Sequence, residues 1–402
     1  MIKKIPIEKL RPGMFVHDLN CDWIVHHQYQ KQGRIPDQAT VEQIKSRGIT
    51  ELYIDPSKGL DVADATTIVE ADAQNQALLE KAGDQKPDSG AKTSVQEELL
   101  RAKNLHNQAI SLVKTVLHDV KLDRPIDVEV FNNLTDGMVD SVLRNHNALA
   151  CLGRIREKDN YLLEHSINLA VLMGIFAKSM KIDRSIMHQV VIGAMLHDIG
   201  KVMVPDTVLH KPGKLTDDEF KQMKQHVVFS RELLKKTPGI AELTVKVAAQ
   251  HHERIDGSGY PEGLHDCDIC REGKMCAIAD VYDAITADRV YHKALPPTQA
   301  LKKLLEWGGT HLDQELVHRF IRAVGIYPVG SLVKLKSQRL ALVMEPSESQ
   351  QRQPLVKVIY NAKSRHYLPV EMLDLSRPSN TDEIEQAVAP EDYGIRLGDF
   401  LN

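Results

Sequence analysis

Histidine is unevenly distributed along this chain. Of the 18 histidines in 402 residues, 11 lie between His165 and His318. Imidazole is the commonest metal ligand and titrates near neutral pH. The dipeptide His-Asp occurs as His17-Asp18, His118-Asp119, His197-Asp198 and His265-Asp266, so it identifies nothing by itself. Only the third closes a strongly apolar segment, Met187–Leu196, which reads as a buried helix and runs on into Ile199-Gly200-Lys201. Two metal-capable side chains at the end of a buried helix need partners, because a stranded polar group costs about 1–3 kcal/mol. A metal would supply them. The competing reading is a surface His and Asp on a helix end closed by Gly200.

Other members of a ligand set lie on neighbouring patterns. His165 sits in Tyr161–Met180, an amphipathic stretch that Asp159 can cap, and His226 follows the capping box Thr216-Asp217-Asp218-Glu219. Either, alone, reads equally as an ordinary helix residue. His251-His252 precedes a turn-rich run, Glu253 to Gly259, and adjacent helical residues reach one point most easily where a helix ends. Asp280 follows the apolar Ala277-Ile278-Ala279, a position that also suits a cap. Together His165, His197, Asp198, His226, His251, His252 and Asp280 form a nitrogen and oxygen donor set without thiolate. Such a set suits iron, manganese or zinc better than a structural cysteine-rich site. Seven donors exceed what one open catalytic ion uses, whereas two ions sharing a carboxylate would use them all. A pair of metals about 3.5–4 Å apart is the usual clamp for phosphate-ester hydrolysis.

The elements that must position these residues are mostly helical. Residues 1–60 read as a small mixed α/β unit, with strands at Lys3–Pro6, Met14–Val16 and Glu51–Ile54 and a helix from Asp37 to Ser46. Residues 61–94 read as a polar linker, and Ser94-Val95-Gln96-Glu97 as the capping box of a helical connector over 95–150. The pattern stays helical to about Val324, so a bundle spanning 151–328 is expected to carry the site. Residues 329–402 change period and read as a small β-rich unit. The fold class is therefore mainly α, with small sheets at both ends. The formal net charge of −4 and 5% aromatic content argue against a nucleic-acid polymer as partner. No apolar run is long enough for membrane insertion. Five cysteines with no export signal read as reduced thiols in a cytoplasmic protein. Cys267, Cys270 and Cys276 resemble part of a zinc knot but read as incidental. The apolar stripe over residues 95–117 permits a homodimer or packing within the chain.

From about Glu157 to Pro328 the chain resembles the HD-GYP domain of the HD phosphohydrolase superfamily. The likeness rests on Glu164-His165-Ser166, His197 to Lys201, His226, His251-His252-Glu253-Arg254, Asp256 to Pro261 and Ala279 to Ala284. Residues 1–60 are similar to the small domain that precedes many HD-GYP domains. The resemblance implies an HD-type helical bundle and a phosphodiesterase that converts cyclic di-GMP to pGpG, and further to GMP, with a metal-bridging hydroxide. It also implies two divalent ions, iron first, with Asp198 bridging. His165, His197 and Asp280 would hold one ion; His226, His251 and His252 the other. Asp198 and Lys201 would be catalytic, and Lys201, Tyr260 and Arg289 would contact substrate. His292 stands where the family usually has Arg or Lys, which puts substrate affinity in question. Tyr161 stands where relatives with a third metal have glutamate, which favours two. Two other readings remain open: hydrolysis of a different cyclic dinucleotide, and a catalytically silent cyclic-dinucleotide sensor.

Overall fold

The computed structural model describes residues 1–21, 32–46, 48–83, 93–153, 161–287, 294–347 and 352–400. At the N-terminus, β1 (Lys3–Pro6), β2 (Phe15–Asp18), β3 (Gly33–Arg34), α1 (Gln38–Lys45), β4 (Glu51–Ile54) and β5 (Thr66–Thr67) form the small mixed unit. Its antiparallel sheet has the order β3-β2-β4-β1-β5, with Ile5 opposite Leu52. Asp37 caps α1 by accepting a hydrogen bond from the Thr40 amide at 2.8 Å. Ile5, Met14, Leu52 and Ile54 make a core separate from that of the bundle.

Residues 61–94 differ from the linker reading. Thr66-Thr67 pairs with Lys3-Lys4, and Ile68–Gly83 forms α2. Its Leu79 is fully buried in the core of the bundle, and Ala82 packs on the same core. The stretch looked polar because its apolar stripe is thin, but Ala, Glu, Gln, Leu and Lys are strong helix formers. Residues 84–92, which hold the turn-rich run, lie outside the described residues.

The bundle is built from α3 (Val95–Lys121), α4 (Val128–Leu152), α5 (Tyr161–Ser179), α6 (Arg184–Leu196), α7 (Asp206–Leu209), α8 (Asp217–Lys236), α9 (Glu242–Gln250), α10 (Arg271–Ile285), α11 (Pro297–Trp307) and α12 (Gln314–Val324). Reciprocal capping boxes start α3 at Ser94 and α8 at Thr216. α5 and α10 bury nearly every side chain described, so they form the middle of the bundle; helices apolar on all sides belong there. Against that centre pack α4, α6, α9 and α12. α3 lies on α4 through Ala102, Ala109, Val113 and Val116, and Glu98 of α3 accepts two hydrogen bonds from Arg144 of α4, both at 2.8 Å.

After the bundle, β6 (Leu332–Leu335), β7 (Arg339–Glu345), β8 (Leu355–Asn361), β9 (His366–Asp374) and β10 (Ile384–Ala387) form an antiparallel sheet of order β10-β6-β7-β8-β9. Leu342 of β7 packs with Cys151 at the end of α4 and with Val329. No helix among the described residues is long and apolar enough to cross a membrane.

Candidate metal centre

Five helices bring their chemistry-bearing residues to one point. His165 comes from α5, His226 from α8 and Asp280 from α10. His197 is the residue after α6 and His251 the residue after α9, so two helix ends converge on the same spot. Asp198 and His252 follow directly, and all seven side chains are buried. The turn after Asp198 brings the chain against α8. A Cβ on Gly200 would lie 2.2 Å from the His226 carbonyl oxygen and 2.4 Å from the Ser230 amide nitrogen. Glycine is needed there for this close approach, not for a left-handed cap.

The carboxylate of Asp198 faces two groups of rings. Its Oδ2 lies 3.1 Å from His197 Nε2 and 3.9 Å from His165 Nε2. Its Oδ1 lies 3.2 Å from His226 Nε2 and 4.0 Å from His251 Nε2. Asp280 lies 3.1 Å from His165 Nε2 through Oδ1, and its Oδ2 is 3.7 Å from His252 Nδ1. Three sets have donor atoms within 4.8 Å of one another: His165 with His197 and Asp280, His226 with His251 and His252, and His197 with Asp198 and His251.

The ring orientations are set from behind. His197, His226 and His251 each donate from Nδ1 to the carbonyl three residues earlier, at 2.7, 2.6 and 2.6 Å. His165 Nδ1 is held by Asp283 Oδ2 at 2.7 Å. With Nδ1 committed as donor, Nε2 presents its lone pair to the cluster, the tautomer a metal requires. Nε2 of His197, His226 and His251, Oδ1 of Asp198 and Oδ2 of Asp280 are buried with no hydrogen-bond partner. Each stranded atom would cost about 1–3 kcal/mol. A cation held among the rings and carboxylates would satisfy such atoms, so the residues fit a metal.

The chain matches the HD domain family over residues 150–316 and a domain of unknown function (DUF3391) over residues 2–131. It is 38% identical over 397 residues to cyclic di-GMP phosphodiesterase PA4108 of Pseudomonas aeruginosa, covering 98% of this chain and 94% of that protein. The chain belongs to the HD-GYP phosphodiesterase family. A second relative, 3′3′-cGAMP-specific phosphodiesterase 2 of Vibrio cholerae, is 42% identical over 123 residues, 30% of this chain and 24% of that one. Among solved structures, Bd1817, an HDG"Y"P protein from Bdellovibrio bacteriovorus, is 16% identical with a TM-score of 0.47, covering 80% of this chain and 98% of that one.

In this HD-GYP phosphodiesterase, electrostatics suit cation binding. Burial would raise Asp198, but His197 and Lys201 hold it well below the ordinary carboxylate range. Burial likewise opposes ionisation of Asp280, and His165 outweighs it. Burial and then the neighbouring imidazoles push His251 and His252 well below their usual values, so both are neutral imidazoles. His165 is pushed up to about 9: burial works against its charge, but the bonds to Asp280 and Asp283 prevail.

The HD-GYP loop closes over this cluster. Glu253 accepts from the amides of Glu262 and Leu264, each at 2.9 Å, and the Tyr260 amide donates to the His252 carbonyl at 3.1 Å. The Tyr260 ring sits 4.6 Å from that of His252. A Cβ on Gly259 would lie 2.4 Å from the Arg254 amide nitrogen, so the loop folds this tightly only with glycine there. Lys201 sits at the edge, its ammonium 2.5 Å from Asp198 Oδ2. Arg289 and His292 lie outside the described residues, as does Asp159; nothing is described of the Tyr161 side chain. Of Cys267, Cys270 and Cys276, none joins a metal-capable cluster among the described residues, and Cys270 instead caps α10 through the Gly273 amide. Sequence reasoning assigned no role to Asp283 or to the carbonyls of Ala194, Met223 and Ala248. Asp283 lies in the run Ala279 to Ala284, one helical turn beyond Asp280, and that spacing is its only signal in the sequence.

Proposed function

We propose that this phosphodiesterase cleaves a 3′–5′ linkage of cyclic di-GMP to give linear pGpG, and that a second cut of that product gives GMP. The observation that carries the reading is Asp198, whose two oxygens face two separate histidine groups. That geometry supports a pair of ions with Asp198 between them, His165, His197 and Asp280 on one side and His226, His251 and His252 on the other. Iron is the first choice, and manganese or zinc also match a nitrogen and oxygen donor set. When bound, the ions supply an acidified water as nucleophile and positive charge for the phosphate oxygens. Lys201, anchored on Asp198, extends that positive charge toward the incoming phosphate. Tyr260 walls the site beside His252; burial raises its phenol well above the usual value, so it stays a neutral hydrogen-bond donor. Arg289 and His292 complete the substrate contacts in this reading.

The test is elemental analysis after anaerobic purification, paired with cyclic di-GMP turnover. Asp198→Ala is expected to lose both metal and activity, and unchanged activity would sink the proposal. A second reading keeps the chemistry and changes the nucleotide, because one relative is a 3′3′-cGAMP-specific enzyme. Side-by-side turnover of cyclic di-GMP and 3′3′-cGAMP separates the two. Full metal content with no turnover of either would indicate a cyclic-dinucleotide sensor instead.

A further inference from the structure

Lys224 lies on α8, one turn after Phe220 and two residues before His226. Its ammonium is 4.8 Å from the centroid of the Phe220 ring and 5.4 Å from that of Tyr260. The two rings meet edge to face, with centroids 6.3 Å apart. Tyr260 in turn lies 4.6 Å from His252 and 6.4 Å from His226. The lysine charge is therefore held one aromatic ring away from the metal-ligand cluster.

Three neighbouring lysines are each paired with a carboxylate. Lys221 pairs with Asp218 at 3.1 Å, Lys211 with Glu219 at 2.5 Å and Lys201 with Asp198 at 2.5 Å. Lys224 has no carboxylate partner among the described residues and is half-buried. A cation over an aromatic face gains about 0.5–1 kcal/mol when exposed and about 2 when desolvated. Two such faces fix the ammonium in place without neutralising it, which leaves it available to an anion.

A cyclic dinucleotide carries two phosphodiesters on opposite sides of its ring. When one is at the metals, the other projects away from them and needs its own counter-charge. We propose that Lys224, positioned by Phe220 and Tyr260, binds the phosphodiester that is not being cleaved. This rests on the cyclic-dinucleotide reading above.

Lys224→Met keeps the apolar stem over the rings and removes the charge. The measurement compares kcat/KM for cyclic di-GMP with that for bis(p-nitrophenyl) phosphate, a small diester with no second phosphate, at low and high salt. The expected result is about a tenfold fall in the cyclic di-GMP to small-diester ratio, roughly 1.4 kcal/mol, carried by KM. Its salt dependence should also flatten, and Lys224→Arg should restore the ratio. Metal content and thermal melting of each variant identify misfolding, in which case Lys224→Gln takes the place of methionine. A wild type that cleaves cyclic di-GMP, with a ratio in Lys224→Met within about twofold of wild type, overturns this proposal alone. A wild type that cleaves the small diester but no cyclic dinucleotide overturns the underlying reading and this proposal with it.

Discussion

At the centre of the site three buried rings are held from behind, each at Nδ1 by a main-chain carbonyl. His197 and His251 follow the last residues of α6 and α9, where carbonyls lack intrahelical partners. Their Nδ1 bonds to Ala194 and Ala248 close those helix ends and aim Nε2 inward with the same atom pair. The Nδ1 of His165 is held by Asp283, 118 residues away in sequence. Asp283→Asn is therefore expected to loosen the ring and lower metal affinity by roughly 10–100-fold, the usual cost of losing an outer partner of a ligating histidine. Competition with a chelator of known affinity measures this; an unchanged metal affinity would remove Asp283 from the site. Gly200 is a second residue with no freedom. Its absent side chain lets α8 seat His226, so Gly200→Ala must displace backbone and is expected to cost about 3 kcal/mol and to reduce metal content. Thermal melting and elemental analysis read both, and a variant as stable and as metalled as wild type would refute the close approach. The seven candidate donors were legible only as a set, because alone His165 and His226 read equally as ordinary helix residues and Asp280 as a cap. The ring supports were not legible, because they are through-space pairs and main-chain carbonyls that leave no mark in residue type.

The bundle elements were legible where capping and apolar period agreed. Ser94 and Thr216 announce α3 and α8, and both boxes are formed. α2 was missed because its contact with the bundle is carried by few apolar side chains, Leu79 foremost, in a run of charged and amide residues. The α3 to α4 contact hides another feature that periodicity does not reveal, a fully buried Glu98 on a face that apart from His106 is built of Ala and Val. Arg144 satisfies both its oxygens, and Arg101 stands 3.5 Å away. Removing one partner of such a pair leaves a buried charge, so Arg144→Met is expected to cost about 3 kcal/mol or more. Removing both, as in Glu98→Leu with Arg144→Met, should recover most of that loss, because a hydrophobic pair avoids the desolvation penalty. Chemical denaturation of the three proteins decides it. A double variant no more stable than Arg144→Met would mean that the ion pair itself holds α3 on α4.

At the scale of the whole molecule, the N-terminal unit is seated on the catalytic bundle by polar contacts that no local pattern encodes. The Tyr53 hydroxyl donates to Glu306 Oε1 at 3.0 Å, Asn75 of α2 donates to the same oxygen at 2.6 Å, and Trp307 Nε1 donates to the Asn20 carbonyl at 3.2 Å. The seat reaches the HD-GYP loop itself. Gly48, in the turn after α1, has φ +75, and a Cβ there would lie 2.9 Å from Ser258 Cβ. Ser258 belongs to the turn that Asp256 organises by accepting its amide and hydroxyl, two residues before Tyr260. A side chain at position 48 must therefore push the loop or lift the unit. Gly48→Ala is expected to lower kcat/KM for the cyclic dinucleotide by roughly three- to tenfold, mostly through KM, because Tyr260 is what moves. A left-handed alanine costs about 1–2 kcal/mol by itself, so a lower melting temperature decides nothing. Gly394→Ala is the control: Gly394 has φ +67 with nothing within 4 Å of an added Cβ. It should lose similar stability and keep its kinetics. Ser258→Gly removes the atom in the way, so in the Gly48→Ala background it should return most of the lost kcat/KM, a coupling of about 1 kcal/mol in the double-mutant cycle. Independent effects of the two substitutions, or a Gly48→Ala enzyme that melts earlier but turns over normally, would show that the N-terminal unit rests on the loop without positioning it.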